Sequence, residues 1–393
     1  MNPKRYEDTH QWIKFSHHAT LNPLWAKLGE AYSKCQHLSG IPLQPTLAEE
    51  LAAFVMNKGA LATAAIEGNT LTEEEANDIL SGGKNLPPSQ EYLEQEIRNV
   101  ANALKDINFG SPDVEPFQLS TDWLKEQNAK VLHALPEKDD VVPGEFTTRQ
   151  LVVGNIYRAA PPEDVPYLVD TMCQWLNKDF ILPSQNPSID KDQRFYLAFF
   201  GATLAHLYTA WIHPFGDGNG RTARLIEVAI LAKSGVVPWV ASNLLSDHYN
   251  KTRSRYYEKL DKASKEDDVD GFILYAAEGL VDQLREQIET VKHHQRRIAW
   301  ESYVHEILGH ENAGKTRDRQ NHLVIALSQE PAGAEQKAIR YLTPFLAEAY
   351  AGMQDRAITR DLNKLTQLGL VRKEGKLWHA NSAIMNAFIP LVR

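Results

Sequence analysis

A glycine-rich segment between two helical patterns limits how this chain can fold. Gly216, Gly218 and Gly220 fall within five residues. Glycines at this density permit positive φ angles and let the backbone approach a ligand closely. Helical periodicity covers about 191–211 before the segment and 219–234 after it. The pattern therefore predicts a tight loop that leads directly into a helix N-terminus.

The residues around this loop favour a phosphate-binding site. A loop followed by a helix N-terminus gathers free N–H groups around one point, which suits an anion. Arg221 and Arg224 are three apart, so they share a helix face and can reach the same anion. Asp217 offers the carboxylate that Mg²⁺ needs when it bridges phosphates, and His213 can accept a proton near neutrality. A simple glycine turn with surface arginines is the alternative, but it does not explain so many reactive residues within twelve positions.

The segment HPFGDGNGRTAR at 213–224 resembles the Fic signature HPFx[D/E]GNGRxxR at every fixed position. The resemblance extends over about 140–290, including PGEFTTRQLVVGN before the segment and RSRYYEKL (253–260) after it. It implies a mainly α fold, with a Fic-type helical core and a small β-hairpin flap. It also implies an enzyme that transfers AMP from ATP to a Ser, Thr or Tyr hydroxyl of a target protein or of itself.

The resemblance assigns roles to individual residues. His213 is implied as the general base and Asp217 as the Mg²⁺ ligand, with Arg224 on the γ-phosphate. For Tyr256 and Tyr257, packing in the core is an equal alternative to a contact with the nucleotide. An extended target segment would pair with the flap edge by β-augmentation. The residues implied to bind the nucleotide are Val152, Val153, Gly154, Gly216, Asp217, Gly218, Asn219, Gly220, Arg221, Thr222, Arg224, Tyr256 and Tyr257.

A second short pattern resembles the inhibitory motif of the same family, [S/T]xxxE[G/N]. It runs from Thr63 through Glu67 to Gly68. A helix that ends in glycine beside an exposed glutamate is the simpler explanation of so short a pattern. Beside an intact 213–224 segment, the resemblance implies that Glu67 pairs with Arg224 and blocks the productive pose of ATP. Some family members use this glutamate to remove AMP again, so the opposite activity stays open.

Periodicity and turn residues divide the chain into four parts. We predict an N-terminal helical region (1–114) that carries the inhibitory helix, a catalytic core (115–290), a helix end with a linker (291–318) and a winged-helix-like domain (319–393). A β-branched run around Gly154 predicts a hairpin at 149–159. The other helices expected in the first two parts cover 46–67, 89–108, 165–179, 244–262 and 269–300.

The last part combines a helix at 357–371 with a hairpin that turns at Glu374-Gly375, which is a winged-helix pattern. Residues 315–393 hold 12 Lys and Arg against 7 Asp and Glu, although the whole chain has a net charge of -9. This asymmetry is compatible with DNA binding through Arg356, Arg360 and Lys364. Domain packing or dimerisation is the competing interpretation, and a homodimer stays open.

Composition sets the remaining expectations. Hydrophobic residues make up 43% and charged residues 24%, as in ordinary globular proteins. Two distant cysteines predict buried thiols in a reducing compartment, and the histidines show no zinc spacing. We expect no signal peptide, no transmembrane helix and no membrane partner, and hence a cytoplasmic protein. Besides the transferase, the sequence leaves open a transcriptional regulator with a nucleotide-sensing domain and an enzyme that uses another nucleotide donor.

Overall fold

The fold was analysed in a computed structural model, which describes residues 5–83, 86–109, 115–154, 157–311 and 314–385, without the side chains of 47, 108 and 109. The chain divides into two compact units between Ile288 and Glu289. The first unit begins with α1 (Tyr6–Thr9), α2 (Asn22–Gly40), α3 (Pro45–Ile66), α4 (Glu73–Leu80), α5 (Glu91–Phe109), α6 (Thr121–Leu132), β1 (Val152–Val153) and β2 (Tyr157–Arg158). It continues with α7 (Val165–Leu176), a π-helical turn (Asn177–Ile181), α8 (Leu182–Gln185), α9 (Lys191–Ile212), α10 (Asn219–Lys233), α11 (Trp239–Ser242), α12 (Leu244–Lys251) and α13 (Arg253–Lys265).

Helix α14 (Val269–Gly309) contains the division between the units. The second unit adds α15 (Lys315–Ser328), β3 (Ala334–Glu335), α16 (Gln336–Ile339), α17 (Pro344–Ala349), α18 (Asp355–Gln367), β4 (Val371–Glu374) and β5 (Leu377–Ala380). Short 3₁₀ turns cover Pro88–Gln90 and Ser382–Met385.

The antiparallel pair α9 and α10 forms the centre of the first unit. Helix α9 is apolar nearly all round, and residues such as Phe195, Phe199 and Leu204 are fully buried. A helix without a polar face must lie inside the protein. Among the described residues α9 is also the one helix long and apolar enough to cross a membrane, but 83% of its apolar window is buried inside the protein. Its position therefore matches that of a core helix.

Helices α3 and α5 pack on the side of α10 that α9 leaves open. Their contact is a cluster that includes Ala60 and Ala64 of α3, Ile97 of α5, and Leu225 and Val228 of α10. Small alanine side chains let the helix axes approach closely. This packing brings the C-terminal end of α3, at residues 66–68, against the first turn of α10.

The predicted hairpin is present as β1 and β2, whose strands pair antiparallel with Val153 opposite Tyr157. Its turn includes residues 155 and 156, which lie outside the described residues. The mainly α fold with a small flap is confirmed. The prediction of one helix over 244–262 is wrong, because two helices cover this range. Helix α12 ends at Lys251 and α13 starts at Arg253. Thr252 breaks the helix by leaving the helical region of φ and ψ (φ −117°, ψ 35°).

The second unit packs three longer helices on a small sheet. The strand order is β3-β5-β4, and all pairs are antiparallel. Trp300, Leu323, Ile358, Leu362 and Trp378 lie in its core. Residues 300–308 of α14 therefore contribute to this core although the sequence placed them near a linker. The element order is the one a winged-helix domain requires, and that assignment stays a prediction.

Candidate active site

The loop between α9 and α10 is closed by its own side chains. The Asn219 amide accepts a hydrogen bond from the Phe215 N–H (2.9 Å) and donates one back to the Phe215 carbonyl (2.6 Å). Gly218 has φ +76°, a left-handed conformation that glycine adopts without a steric penalty. The side chain of Asn219 thus stabilises the loop. The predicted contact with phosphate can then come only from the backbone N–H of Asn219.

Asn128 of α6 braces the loop from below, a role that sequence reasoning missed. Its buried amide donates to the Asp217 carbonyl (2.9 Å) and accepts from the Gly144 N–H (3.0 Å). A Cβ on Gly218 would come within 2.9 Å of this amide, so the position also requires a small residue for space. The Thr222 hydroxyl lies at 3.4 Å from the same nitrogen. Thr222 is therefore fully buried under the loop rather than facing an open pocket.

The first turn of α10 presents free backbone amides. Its N-cap is Gly218, which has no side chain to cap them, and the first intrahelical bond runs from the Thr222 N–H to the Gly218 carbonyl (2.9 Å). The N–H groups of 219–221 therefore face the site without a helical partner. Together with the positive end of the helix dipole, they can bind an anion at the position where the sequence predicts a phosphate site.

Glu67 lies directly over this helix start. Its Oε1 accepts a hydrogen bond from Arg224 Nη2 at 2.7 Å, and the same nitrogen donates to the Thr63 carbonyl at 3.0 Å. A Cβ on Gly220 would lie only 2.1 Å from that carboxylate oxygen. Burial alone would raise the pKa of Glu67, but the charge and hydrogen bond of Arg224 outweigh it and lower the pKa. A carboxylate thus occupies the anion site.

Arg224 has hydrogen-bonding capacity to spare. Its side chain is 1% exposed. Within the described part of the chain, Nε and Nη1 have no hydrogen-bond partner. Buried guanidinium nitrogens are rarely left without acceptors. The geometry therefore fits a residue that receives an additional anion when a ligand enters.

Arg221 is held in a similar way by a residue that the sequence analysis missed. Its guanidinium donates to Glu96 of α5 and lies 3.4 Å from Asp217. The other carboxylate oxygen of Glu96 accepts from the Asn69 amide at 3.0 Å. Because Asn69 follows the inhibitory pattern in sequence, Glu96 links the end of α3 to Arg221. No local pattern could have revealed a contact between positions 125 residues apart.

Asp217 lies within the loop, and the Lys138 ammonium donates a hydrogen bond to its carboxylate at 2.5 Å. Burial raises the pKa of Asp217, but the hydrogen bond from Lys138 and the charge of Arg221 outweigh burial and lower it. No cluster of three or more potential metal-ligating side chains occurs among the described residues. A single ionised carboxylate still fits Mg²⁺, which usually takes one or two carboxylates and completes its shell with phosphate oxygens and water.

His213 ends α9 in the left-handed conformation, with φ 51° and ψ 59°. This conformation is unusual for a residue other than glycine and is often found at functional sites. Burial lowers the pKa of the His213 imidazole, and the nearby carboxylates of Glu67 and Asp217 only partly oppose the effect. The imidazole is therefore neutral at pH 7 and able to accept a proton.

The remaining predicted residues lie in different environments. Tyr256 is in the core, where its hydroxyl forms a 2.7 Å hydrogen bond with His206. Tyr257 is exposed and reaches the Ile66 carbonyl at 3.4 Å, next to Glu67. Val152 is 58% exposed on the flap. A cleft of about 510 Å³ opens beside the loop, and its lining includes Glu67, Tyr92, Glu96, Lys138, Asp217 and Arg221.

Fold and site together define a helical domain built around an anion-binding loop and a helix N-terminus. The profile of the Fic/DOC family matches residues 118–231. Residues 118–231 therefore match the Fic/DOC family, in agreement with the resemblance of the 213–224 segment.

Curated relatives are similar in sequence over more than half of this chain. The chain is 30% identical over 230 residues to protein adenylyltransferase fic-1 of Caenorhabditis briggsae, covering 58% of this chain and 41% of that protein. It is 29% identical over 221 residues to protein adenylyltransferase Fic of Drosophila ananassae, covering 55% and 38%. The chain thus spans about two fifths of the length of these relatives.

Solved structures show the same fold. Residues 134–508 of C. elegans Fic-1 align with a TM-score of 0.53 and 26% identity, covering 68% of this chain and 72% of that one. A Fic family protein from Desulfovibrio desulfuricans aligns with a TM-score of 0.54 and 19% identity, covering 92% and 97%. The second match concerns the fold alone.

Proposed function

We propose that this protein transfers AMP from ATP to a hydroxyl side chain of a protein and is restrained by Glu67. One observation carries the proposal. A neutral imidazole, an ionised carboxylate and two buried arginines converge on the free N-terminus of α10. These groups suit the binding of a nucleoside triphosphate beside the hydroxyl group that attacks it. The names of the curated relatives support the same reaction.

The residues act mainly by positioning and by neutralising charge. Arg224 and the first-turn amides of α10 bind the phosphates, and Arg221 adds a second positive charge. His213 takes the proton of the attacking hydroxyl. A bond then forms between that oxygen and the α-phosphorus, the bond from the α-phosphorus to the bridging oxygen breaks, and pyrophosphate leaves.

Asp217 is the residue that would hold Mg²⁺. Bound there, the ion would neutralise part of the negative charge on the phosphates. Lys138 already supplies a positive charge at this carboxylate in the structure. Lys138 donates to Oδ2 of Asp217, so its ammonium would compete with the ion for that oxygen.

Inhibition follows from the place that Glu67 occupies. Its carboxylate takes up one nitrogen of Arg224 and lies within van der Waals distance of Gly220. A γ-phosphate directed to Arg224 would meet this negative charge. ATP is then forced into a pose in which the α-phosphate is misaligned for attack, until Glu67 moves away.

The flap offers a docking edge for the substrate protein. Val152 is largely exposed, and within the described ranges β1 pairs with β2 alone, through a two-residue register. The other edge of β1 can accept an extended segment of a target chain through main-chain hydrogen bonds. Such pairing would fix a hydroxyl beside His213 and read little of the target's sequence.

The test uses ATP labelled at the α- or at the γ-phosphate. Wild type, Glu67→Gly and His213→Ala are incubated with Mg²⁺, alone and with a cell lysate. We expect protein-bound label from α-labelled ATP only, strongest for Glu67→Gly and absent for His213→Ala. Transfer of the γ-label would mean kinase activity. ATP binding without transfer of either label would instead favour the nucleotide-sensing regulator.

A further inference from the structure

The outward face of α18 in the second unit is a continuous polar surface. Six side chains form it, and none is acidic. Their positions repeat with the helical period, so they share one face of the helix. They line an open groove of about 510 Å³, whose lining among the residues that the structure describes comes from α18 alone. The face consists of Arg356, Thr359, Arg360, Asn363, Lys364 and Gln367.

The opposite face of α18 is fixed in the core, so the outward face is presented rigidly. Ile358, Leu362 and Leu365 are fully buried. The carboxylate of Asp361, also fully buried, accepts hydrogen bonds from Arg319 (2.8 Å), Gln320 (3.0 Å) and the Tyr350 hydroxyl (2.9 Å). A binding surface on so well anchored an element needs little ordering when a partner arrives.

The charge on this face is positive and mostly uncompensated. Arg356 and Arg360 are exposed and pair with no carboxylate in the described part of the chain. Lys364 shares its charge with Glu311 at 2.8 Å. Asp355, at the start of the same helix, is already paired with Arg340. The acidic groups of α18 therefore do not cancel its basic face.

The β4–β5 hairpin adds basic groups after α18. Lys376 lies exposed at the turn, and the Lys373 ammonium lies 5.3 Å from the centre of the Trp378 ring. Arg372 is paired with Glu374 at 2.7 Å. A helix followed by a short basic hairpin provides two places at which a polyanion can contact this unit.

We propose that the second unit binds duplex DNA with α18 in the major groove and the β4–β5 turn on the phosphate backbone. The 13 residues of α18 span about 20 Å, and the major groove of B-DNA is wide enough for an α-helix to lie in it. Arginine, asparagine and glutamine are the side chains that read guanine and adenine edges there. An RNA duplex is a poorer partner because its major groove is too narrow for a helix. The proposal is independent of the transferase reaction.

The experiment measures binding of the full chain to a fluorescent mixed-sequence DNA duplex by anisotropy. The salt concentration is varied from about 50 to about 200 mM, because six phosphate contacts would lower the affinity roughly 10³-fold or more over that range. We expect Arg356→Ala/Arg360→Ala to weaken binding by at least about tenfold and to reduce the salt slope. Arg360→Lys should retain most of the non-specific affinity. Lys262→Ala/Lys265→Ala removes two positive charges from α13 of the first unit, where they pair with Glu258 and Asp261, and should change nothing.

Any of four binding results would overturn the proposal. They are no binding by the wild type at 50 mM salt, equal weakening by both double variants, equal affinity for an RNA duplex of the same sequence, and equal affinity for polyglutamate. A change in oligomeric state on substituting Arg356 and Arg360, with DNA binding unaltered, would identify the face as a protein contact and would also refute it. Since both arginines are exposed, the variants should keep the wild-type unfolding temperature.

Discussion

Replacing Glu67 by glutamine isolates the charge that restrains the site. Glutamine keeps the shape and one acceptor oxygen but removes the negative partner of Arg224. Breaking a fully buried ion pair typically costs about 3–5 kcal/mol, because the remaining charge is left uncompensated. Arg224 is 1% exposed, but the Glu67 side chain is 33% exposed and partly screened by solvent. We therefore expect a loss of about 1–3 kcal/mol in the free energy of unfolding without nucleotide.

The same interaction opposes the phosphate that must reach Arg224. If the pair contributes about 1–3 kcal/mol to the free protein, its removal should tighten ATP binding by about 5- to 150-fold. The variant should thus lose stability without nucleotide and regain it with ATP. A contact that only supports the fold would lower stability and leave the affinity for ATP unchanged.

Calorimetric unfolding without nucleotide and titration calorimetry with ATP and Mg²⁺ provide the two measurements. We expect the unfolding temperature of Glu67→Gln to fall by roughly 2–6 °C. Glu50→Gln, an exposed position in the same helix, is the matched control and should leave both quantities unchanged. Unaltered stability together with unaltered ATP affinity would refute the inhibitory role of the ion pair.

Three further predictions concern the neighbouring residues. Glu96→Gln should lower the free energy of unfolding by about 1–3 kcal/mol, since Arg221 loses its main partner, and denaturant unfolding measures this. Gly220→Ala should cost about 1–3 kcal/mol because its methyl group collides with Glu67, and the cost should largely vanish in a Glu67→Gly background. The activity of Glu67→Gly should fall in acid only below about pH 6.5, because burial lowers the pKa of His213 and so keeps the base neutral above that pH.

Each of these has a result that would contradict it. An unchanged denaturant midpoint for Glu96→Gln would show that Arg221 does not depend on that carboxylate. An equal cost of Gly220→Ala in both backgrounds would place the strain elsewhere than on Glu67. An acid limb centred above pH 7 would exclude a histidine with a lowered pKa as the base.

The sequence predicted the parts of the site that are encoded locally. The 213–224 segment contains a base, a carboxylate, a glycine turn and a helix start in consecutive order, so it determines its own conformation. The short motif around Glu67 required the family resemblance. The structure then placed its carboxylate on Arg224, 157 residues away.

The parts that escaped prediction depend on contacts distant in sequence. Asn128 and Glu96 each lie within an ordinary amphipathic helix, where a polar residue carries no special pattern. Their roles in the site arise because α5 and α6 pack against the start of α10. The sequence predicts Asn219 as a phosphate ligand, but its side chain forms two hydrogen bonds within the loop. Only coordinates reveal which of two polar roles a side chain fills.

Intact-protein mass spectrometry of Glu67→Gly after incubation with ATP and Mg²⁺ tests the proposed reaction most directly. We expect a mass increase equal to one or more adenylyl groups. For Glu67→Gly/His213→Ala we expect no increase. An unmodified Glu67→Gly protein, or equal modification of the double variant, would contradict it.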